Sequence, residues 1–574
     1  MIVRNALPFS AVSVLAAALV ATPLHAQSSV LMDTMTAELT RATAGLGKDS
    51  PGKDSKDAQP PYYISYDAHD TRTVLIAAEQ GAILASNADH SRQADIIVRV
   101  GGPALDNTHG PHRGSAIYSV PLPLDDDPGA IARALWRGTN SEYGEALQTY
   151  LQVKTESQVR AKEEDTSPDF SKDPPDSSAA APVTPSGIDR EQWTTRVRAL
   201  SALFRDYPHI YSNLTIFSVQ DETGYFVSSE GARIVTPHQL ARLVILATTR
   251  AADGMDLFRA QTFEAKSADG LPSQKDLQAA VRALGASLEQ LRTASVTEPF
   301  DGPALLSGRA SAVFFHEVLG HRLEGQRQRG DEEGQTFTKD IGKPILPSFL
   351  SVADDPTLAT FDGTYLSGYY TYDDEGQRAR KVDLIQDGVL KTFLMSRLPI
   401  ASVSSSNGHG RSQPGHMPTG RQGNLIVTST KTVPESQLRQ MLIDEAKKQN
   451  KPYGLYFADI SSGFAVTTRN APQAFQVIPL VVYRVYTDGR PDELVRGVSI
   501  VGTPQAALNR IVATGDKREV FNGECGAESG TVPVSAIAPA MLVSEIETQR
   551  QQQGTSRPPI LPPPTAANNS GEGR

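Results

Sequence analysis

The stretch Phe315-His316-Glu317-Val318-Leu319-Gly320-His321 places two imidazoles and a carboxylate side by side. It also divides the chain. Strands and helices alternate before it, and strand signals dominate from Gly363 onward. A helix starting near Arg309 carries the motif into this boundary. Neutral imidazole nitrogens bind Zn2+, and a carboxylate beside the first ligand can accept a proton from water at the metal. Residues of these types in this order read as a catalytic zinc site.

The two histidines stand at i and i+5. On a regular helix that separation puts them roughly 140° apart, whereas i and i+4 share a face. A two-histidine site therefore needs the helix to bend or end between them. Gly320 lies directly before His321, and the sequence predicts an irregularity over Val318 to His321. A catalytic zinc also needs a third protein ligand. Glu324, one turn beyond His321, and the distant Cys525 are both candidates. Gly523-Glu524-Cys525-Gly526 reads as a tight loop able to deliver the thiolate, and spacing alone does not choose between the two.

Outward from the motif, Tyr62 to Tyr66, Thr73 to Ala78 and Ala94 to Val100 read as short strands, and Pro128 to Leu147 has helical spacing. Leu214 to Val219 and Gly224 to Ser228 form one antiparallel run, continued near Arg233 to Thr236 and Val244 to Thr249. Ser273 is placed to cap an amphipathic helix over Gln274 to Thr293. Downstream, Asp373-Asp374-Glu375-Gly376 and Asp387-Gly388 carry hairpin chemistry. Phe475 to Tyr486 and Leu494 to Val501 pair around Asp488-Gly489, and Thr503-Pro504 starts a short helix to about Ala513.

The fold class is α+β: an N-terminal mixed sheet-and-helix domain followed by a strand-rich, largely antiparallel C-terminal domain. The expected division is a signal peptide over 1–26, an N-terminal domain over 27–300, a C-terminal metallopeptidase domain over 301–548 and a disordered tail over 549–574. Polar, Pro-rich insertions near 45–61 and 162–187 read as loops or disordered segments.

Composition excludes other classes. A net charge of −10 argues against nucleic-acid binding, because neutralising phosphates needs a basic surface. Arg4, the apolar run Ala11 to Ala21 and Leu24-His25-Ala26 before Gln27 read as a cleaved export signal. That run falls short of the ~20 residues a spanning helix needs, so no stable membrane insertion is expected. An exported chain with a single cysteine has no internal disulfide, and a lone thiol in an oxidising compartment must be buried or held.

The segment His316 to Gln326, HEVLGHRLEGQ, resembles the signature of the TldD/PmbA family, on its TldD-like metallopeptidase branch. Tyr372 to Gly376 followed by Leu384 to Lys391, then Gly408-His409-Gly410-Arg411 with Arg421 and Asn424, and finally Gly523-x-Cys525-Gly526 with Val532-Pro533-Val534 resemble further family segments in the same order. The resemblance implies one zinc per active site, held by His316, His321 and Cys525, with Glu317 as general base. It gives the lone cysteine a reason, since a metal-held thiolate needs no disulfide partner. It implies substrate contacts from His409, Arg421 and Asn424. It also implies an extended peptide substrate bound by strand addition inside a homodimer, or a heterodimer with a family partner.

The expected activity is zinc-dependent hydrolysis of peptide bonds in unfolded or extended peptides, in the periplasm or outside the cell. The alternatives are a non-catalytic peptide-binding partner subunit and a hydrolase of a modified peptide or cell-wall amide.

Overall fold

The structure is a computed structural model, and it describes residues 29–48, 59–159, 165–329, 334–468 and 474–551. The expected signal peptide over 1–26, the core of the first insertion and the tail beyond 551 lie outside the described residues. The fold is α+β, as the sequence predicts, and rests on two sheets.

The first sheet is a wholly antiparallel run in which Pro61–Glu79 lies between Ala82–Gly102 and Ser212–Ser228, followed by Arg233–Arg250 and Asp256–Ala265. These strands are far longer than the short ones the sequence suggests. Tyr62 to Tyr66 and Thr73 to Ala78 are two ends of one strand, because the polar run between them is neutralised across the sheet. Asp70 takes Arg92 and His90 from the neighbouring strand, and His69 and Thr71 meet Glu222 on the other side. Charges that read as a turn in one dimension become cross-strand pairs in three. Gln220 to Thr223 are carried through Ser212–Ser228 in the same way.

Helices pack on this sheet. Pro128–Val159 runs well past the expected Leu147, and Gln274–Thr293 forms as expected, its first turn capped by the Ser273 hydroxyl, which accepts from the Asp276 N–H.

The second sheet is mostly antiparallel and holds the motif. Strand Asp301–Leu306 lies at its centre, between Tyr453–Ala465 and the long Gly530–Arg550. Asp387-Gly388 makes the expected hairpin turn, both residues at positive φ. Asp373 to Gly376 also turns the chain back, closed by the antiparallel bridge between Tyr372 and Arg378, but the turn is buried and the Asp373 carboxylate accepts from the Glu375, Gln377 and Gly410 N–H groups. The helix after Thr503 stops at Asn509, because Ile511 already enters the strand Ile511–Ala527.

The second insertion corrects the expectation of disorder over its described part, 165–187. This segment has almost no regular structure but is tightly held. Phe170 is buried between the Arg99 and Arg397 guanidiniums at 4.1 and 3.9 Å, and Asp169 accepts from Arg329 at 2.8 Å. Arg99 belongs to the first sheet, whereas Arg329 and Arg397 come from loops of the motif-bearing half. The strap thus ties the two halves together.

Candidate metal centre

The motif helix, Gly308–Val318, begins one residue after a central strand, with the Ser307 hydroxyl accepting from the Ala310 N–H at 3.1 Å. All its residues but Arg309 are buried. It ends at Val318, and a 3-10 turn, Gly320–Leu323, carries His321. This is the break that the i+5 spacing demands.

Two side chains satisfy the carbonyls the break leaves free. Arg322 donates to the Glu317 and Val318 carbonyls at 3.3 and 3.1 Å, and Gln422 Nε2 to the His316 carbonyl at 3.4 Å. Gly320 is required by that close approach: a Cβ there would lie 2.0 Å from Gln422 Oε1.

The break turns His321 back towards His316. Their ring centroids are 5.0 Å apart, and Cys525 Sγ lies 3.4 Å from His321 Nε2. The ligand atoms of His316, His321 and Cys525 all fall within 4.8 Å of one another. Zn–S and Zn–N bonds of ~2.3 and ~2.05 Å at a tetrahedral angle separate S from N by about 3.6 Å. His316 Nδ1 is buried with no hydrogen-bond partner among the described residues. The donor set, its spacing and that orphaned nitrogen fit one zinc ion.

Cys525 does not come from a tight loop. It lies near the end of strand Ile511–Ala527, opposite Val532 in the hairpin with Gly530–Arg550. Burial opposes its ionisation, yet the His321 and His316 charges and their hydrogen bonds hold the thiol well below its usual range. For the same reason both histidines are raised despite burial, His321 strongly, with Cys525 the leading favourable partner. A divalent cation held by these three residues would displace those imidazole protons and keep the thiolate.

Glu324 stands behind the site. Both its carboxylate oxygens lie 3.2 Å from His321 Nδ1, so the ring donates there and leaves Nε2 towards Cys525. Burial would raise this carboxyl, but His321, Arg327 and Arg421 hold it far below the usual range. Of the two candidate third ligands, Cys525 is therefore at the centre and Glu324 orients a histidine. Glu317 Oε2 is 3.8 Å from His321 Nε2 and faces the open side. A cleft of about 490 Å3 opens there, lined by Glu317, both histidines, Cys525, Arg309, Arg327 and the strand residues Ser461 to Ala465.

The residues expected to touch substrate lie elsewhere. His409, Arg421 and Asn424 are all 0% exposed and none lines the cleft. Arg421 donates to the carbonyls of Cys525 at 2.6 Å and Gly530 at 3.0 Å and to the Ser529 hydroxyl, bracing the cysteine hairpin. His409 lies against Asp354, and Asn424 donates to the Asp355 and Leu358 carbonyls. They shape the framework rather than the cleft. Sequence reasoning missed the supporting roles of Arg322, Arg327 and Gln422; Glu324 and Arg327, three and six residues after His321, are the local signal that was available for them.

Known proteins resemble this chain over its motif-bearing half. Residues 301–550 match the family described as the PmbA/TldA metallopeptidase C-terminal domain. A metalloprotease of Archaeoglobus fulgidus is 29% identical over 239 residues, and a zinc metalloprotease TldD homolog of Saccharolobus solfataricus 27% identical over 247 residues. These alignments cover 42% and 43% of this chain and 51% of each relative, so the match spans about half of those proteins. TldE from Thermococcus kodakarensis shares the fold, with a TM-score of 0.55 over 85% of this chain and 97% of that one, at 12% identity. The C-terminal half is thus a domain of the metallopeptidase class. Residues 301–550 belong to the family of PmbA/TldA metallopeptidase C-terminal domains.

Proposed function

We propose that this protein is a zinc peptidase that hydrolyses peptide bonds in extended peptides outside the cytoplasm. The observation that carries this reading is the convergence of His316, His321 and Cys525 to within 4.8 Å at the wall of a cleft that also presents Glu317. Zinc held by these three residues supplies Lewis acidity towards a carbonyl and makes water acidic near neutral pH. Glu317 accepts the proton that the attacking water gives up and delivers it to the departing amine. Glu324 keeps His321 Nε2 directed at the site, and Arg421 fixes the hairpin that brings Cys525.

The cleft suits an extended chain. Past Phe457, strand Tyr453–Ala465 leaves the partner strand Asp301–Leu306, and among the described residues no other strand pairs with that edge beside Glu317, which suits main-chain pairing with a peptide. Export rests on the charged and apolar start of the sequence, which ends at Ala26. The family resemblance supports assembly as a dimer, with itself or with a relative.

The test is made on protein recovered from the exported fraction. Its N-terminus should be Gln27, with about one zinc per chain. Glu317→Ala should retain the zinc and lose cleavage of an unstructured peptide by at least ~100-fold. Full activity in that variant, or a zinc content near zero, overturns the reading. An intact N-terminus in the cytosolic fraction overturns the location alone.

A further inference from the structure

Cys525 is carried by a hairpin whose turn reaches the segment that follows His321. The pairing of Gly523 to Ala527 with Gly530 to Val534 closes on Glu528-Ser529, with Gly530 at positive φ. Glu528 lines the cleft, and 40% of its side chain is exposed.

Both Glu528 oxygens are nevertheless engaged. Oε1 accepts from Gln326 Nε2 at 2.7 Å and Oε2 from Arg327 Nη2 at 2.9 Å. Gln326 and Arg327 lie in the 3-10 turn Gly325–Gln328, which follows the turn that carries His321. Arg327 also gives Nε to Glu324 Oε2 at 2.7 Å and Nη1 to the Thr467 hydroxyl at 2.8 Å. Glu324 in turn faces His321 Nδ1 with both oxygens. A continuous set of contacts therefore runs from Glu528 on the cysteine hairpin, through Arg327 and Glu324, to His321.

Arg327 is one cation shared between two carboxylates. Glu324, the inner one, is 0% exposed, so its charge is poorly screened and its partners act on it strongly. While Glu528 takes part of the guanidinium charge, Glu324 keeps more of its own for His321 Nδ1. That holds Nε2 towards Cys525. Without Glu528, the Arg327 charge falls more fully on Glu324, and the fork that fixes its plane loses one of its acceptors.

Glu524 offers a contrast on the other side of the cysteine. It too lines the cleft, with 51% of its side chain exposed, but its partner is Arg242 of the first sheet. Among the described residues no hydrogen bond leads from it towards Glu324.

We propose that Glu528 is a positioning residue for the metal centre, acting through Arg327 and Glu324 to hold His321 ready for zinc. This deepens the zinc peptidase reading and rests on it.

Zinc affinity of the full chain, read by competition with a chelator, tests the inference. Glu528→Gln keeps an acceptor but removes the charge, and affinity should fall about tenfold. In a Glu324→Gln background the same change should cost less than about twofold, because the route to His321 is already cut. Glu528→Asp should recover part of the loss. Glu524→Gln removes an equal charge beside the cysteine and should stay within about twofold of wild type. With cobalt in place of zinc, Glu528→Gln should keep the thiolate-to-metal absorption band, showing Cys525 still bound. Unchanged affinity in Glu528→Gln, an equal loss in Glu524→Gln, additive losses in the double variant or a lost thiolate band each overturn the assignment and leave the peptidase reading standing. Wild-type protein that takes up no zinc overturns that reading, and the assignment with it.

Discussion

Glu324 shows how one buried carboxylate sets the state of a neighbouring ring. Because both its oxygens face His321 Nδ1, the tautomer with Nε2 free is the one the site holds. Glu324→Gln keeps one acceptor but removes the charge that opposes Arg327 and Arg421. Zinc affinity should fall by ~10- to 100-fold, read by competition with a chromophoric chelator. An unchanged affinity would remove Glu324 from the support of the site. At this scale the sequence was informative about chemistry and uninformative about exposure. His316, Glu317, His321 and Cys525 are residue types whose reactivity is intrinsic. His409, Arg421 and Asn424 were expected to meet substrate, and only the packed chain shows them enclosed.

Among the elements, the long helix Pro128–Val159 carries an unusual residue. Glu142 is 1% exposed, and its Oε1 has no partner among the described residues. Burial, with Glu145 adding to it, pushes its pKa up to about 8. A carboxyl whose folded value lies above its unfolded one destabilises the fold once ionised. Its full stability is therefore present below the unfolded value of ~4.5, declines as pH rises towards 8, and is level above that. Glu142→Gln should remove this decline, gaining about 2–4 kcal/mol at pH 8 and little at pH 4 in denaturant melts. An equal effect at both pH values would show that the side chain is not titrating there. Helix existence was legible here from spacing, but its length was not. Past Leu147 the helix is mostly polar, but Tyr150 packs against the core of the first sheet and Val153 is buried, and this packing extends the element.

Across the whole molecule, the strap over residues 165–187 joins the two sheets. Phe170 stacks near Tyr63 of the first sheet and under Arg397 of the second half, and Asp169 holds both His109 and Arg329. Phe170→Ala should cost about 3–5 kcal/mol and loosen the halves from each other. Calorimetry is expected to resolve two transitions where the wild type shows more strongly coupled unfolding. An unaltered thermogram would make the strap a passive covering.

The sequence by itself determined the chemistry and the need for a break in the motif helix, because metal ligands are residue types and 3.6 residues per turn leaves i and i+5 apart. It also determined the α+β class through its periodicities. Tertiary structure decided that the distant Cys525 rather than Glu324 meets the histidines, which polar runs become strands, and which arginines brace the site rather than face the cleft. Those outcomes depend on partners 22 to 204 residues away. Gln422 satisfying the broken helix, and Arg421 holding the Cys525 carbonyl, exist only once the second sheet has closed around them.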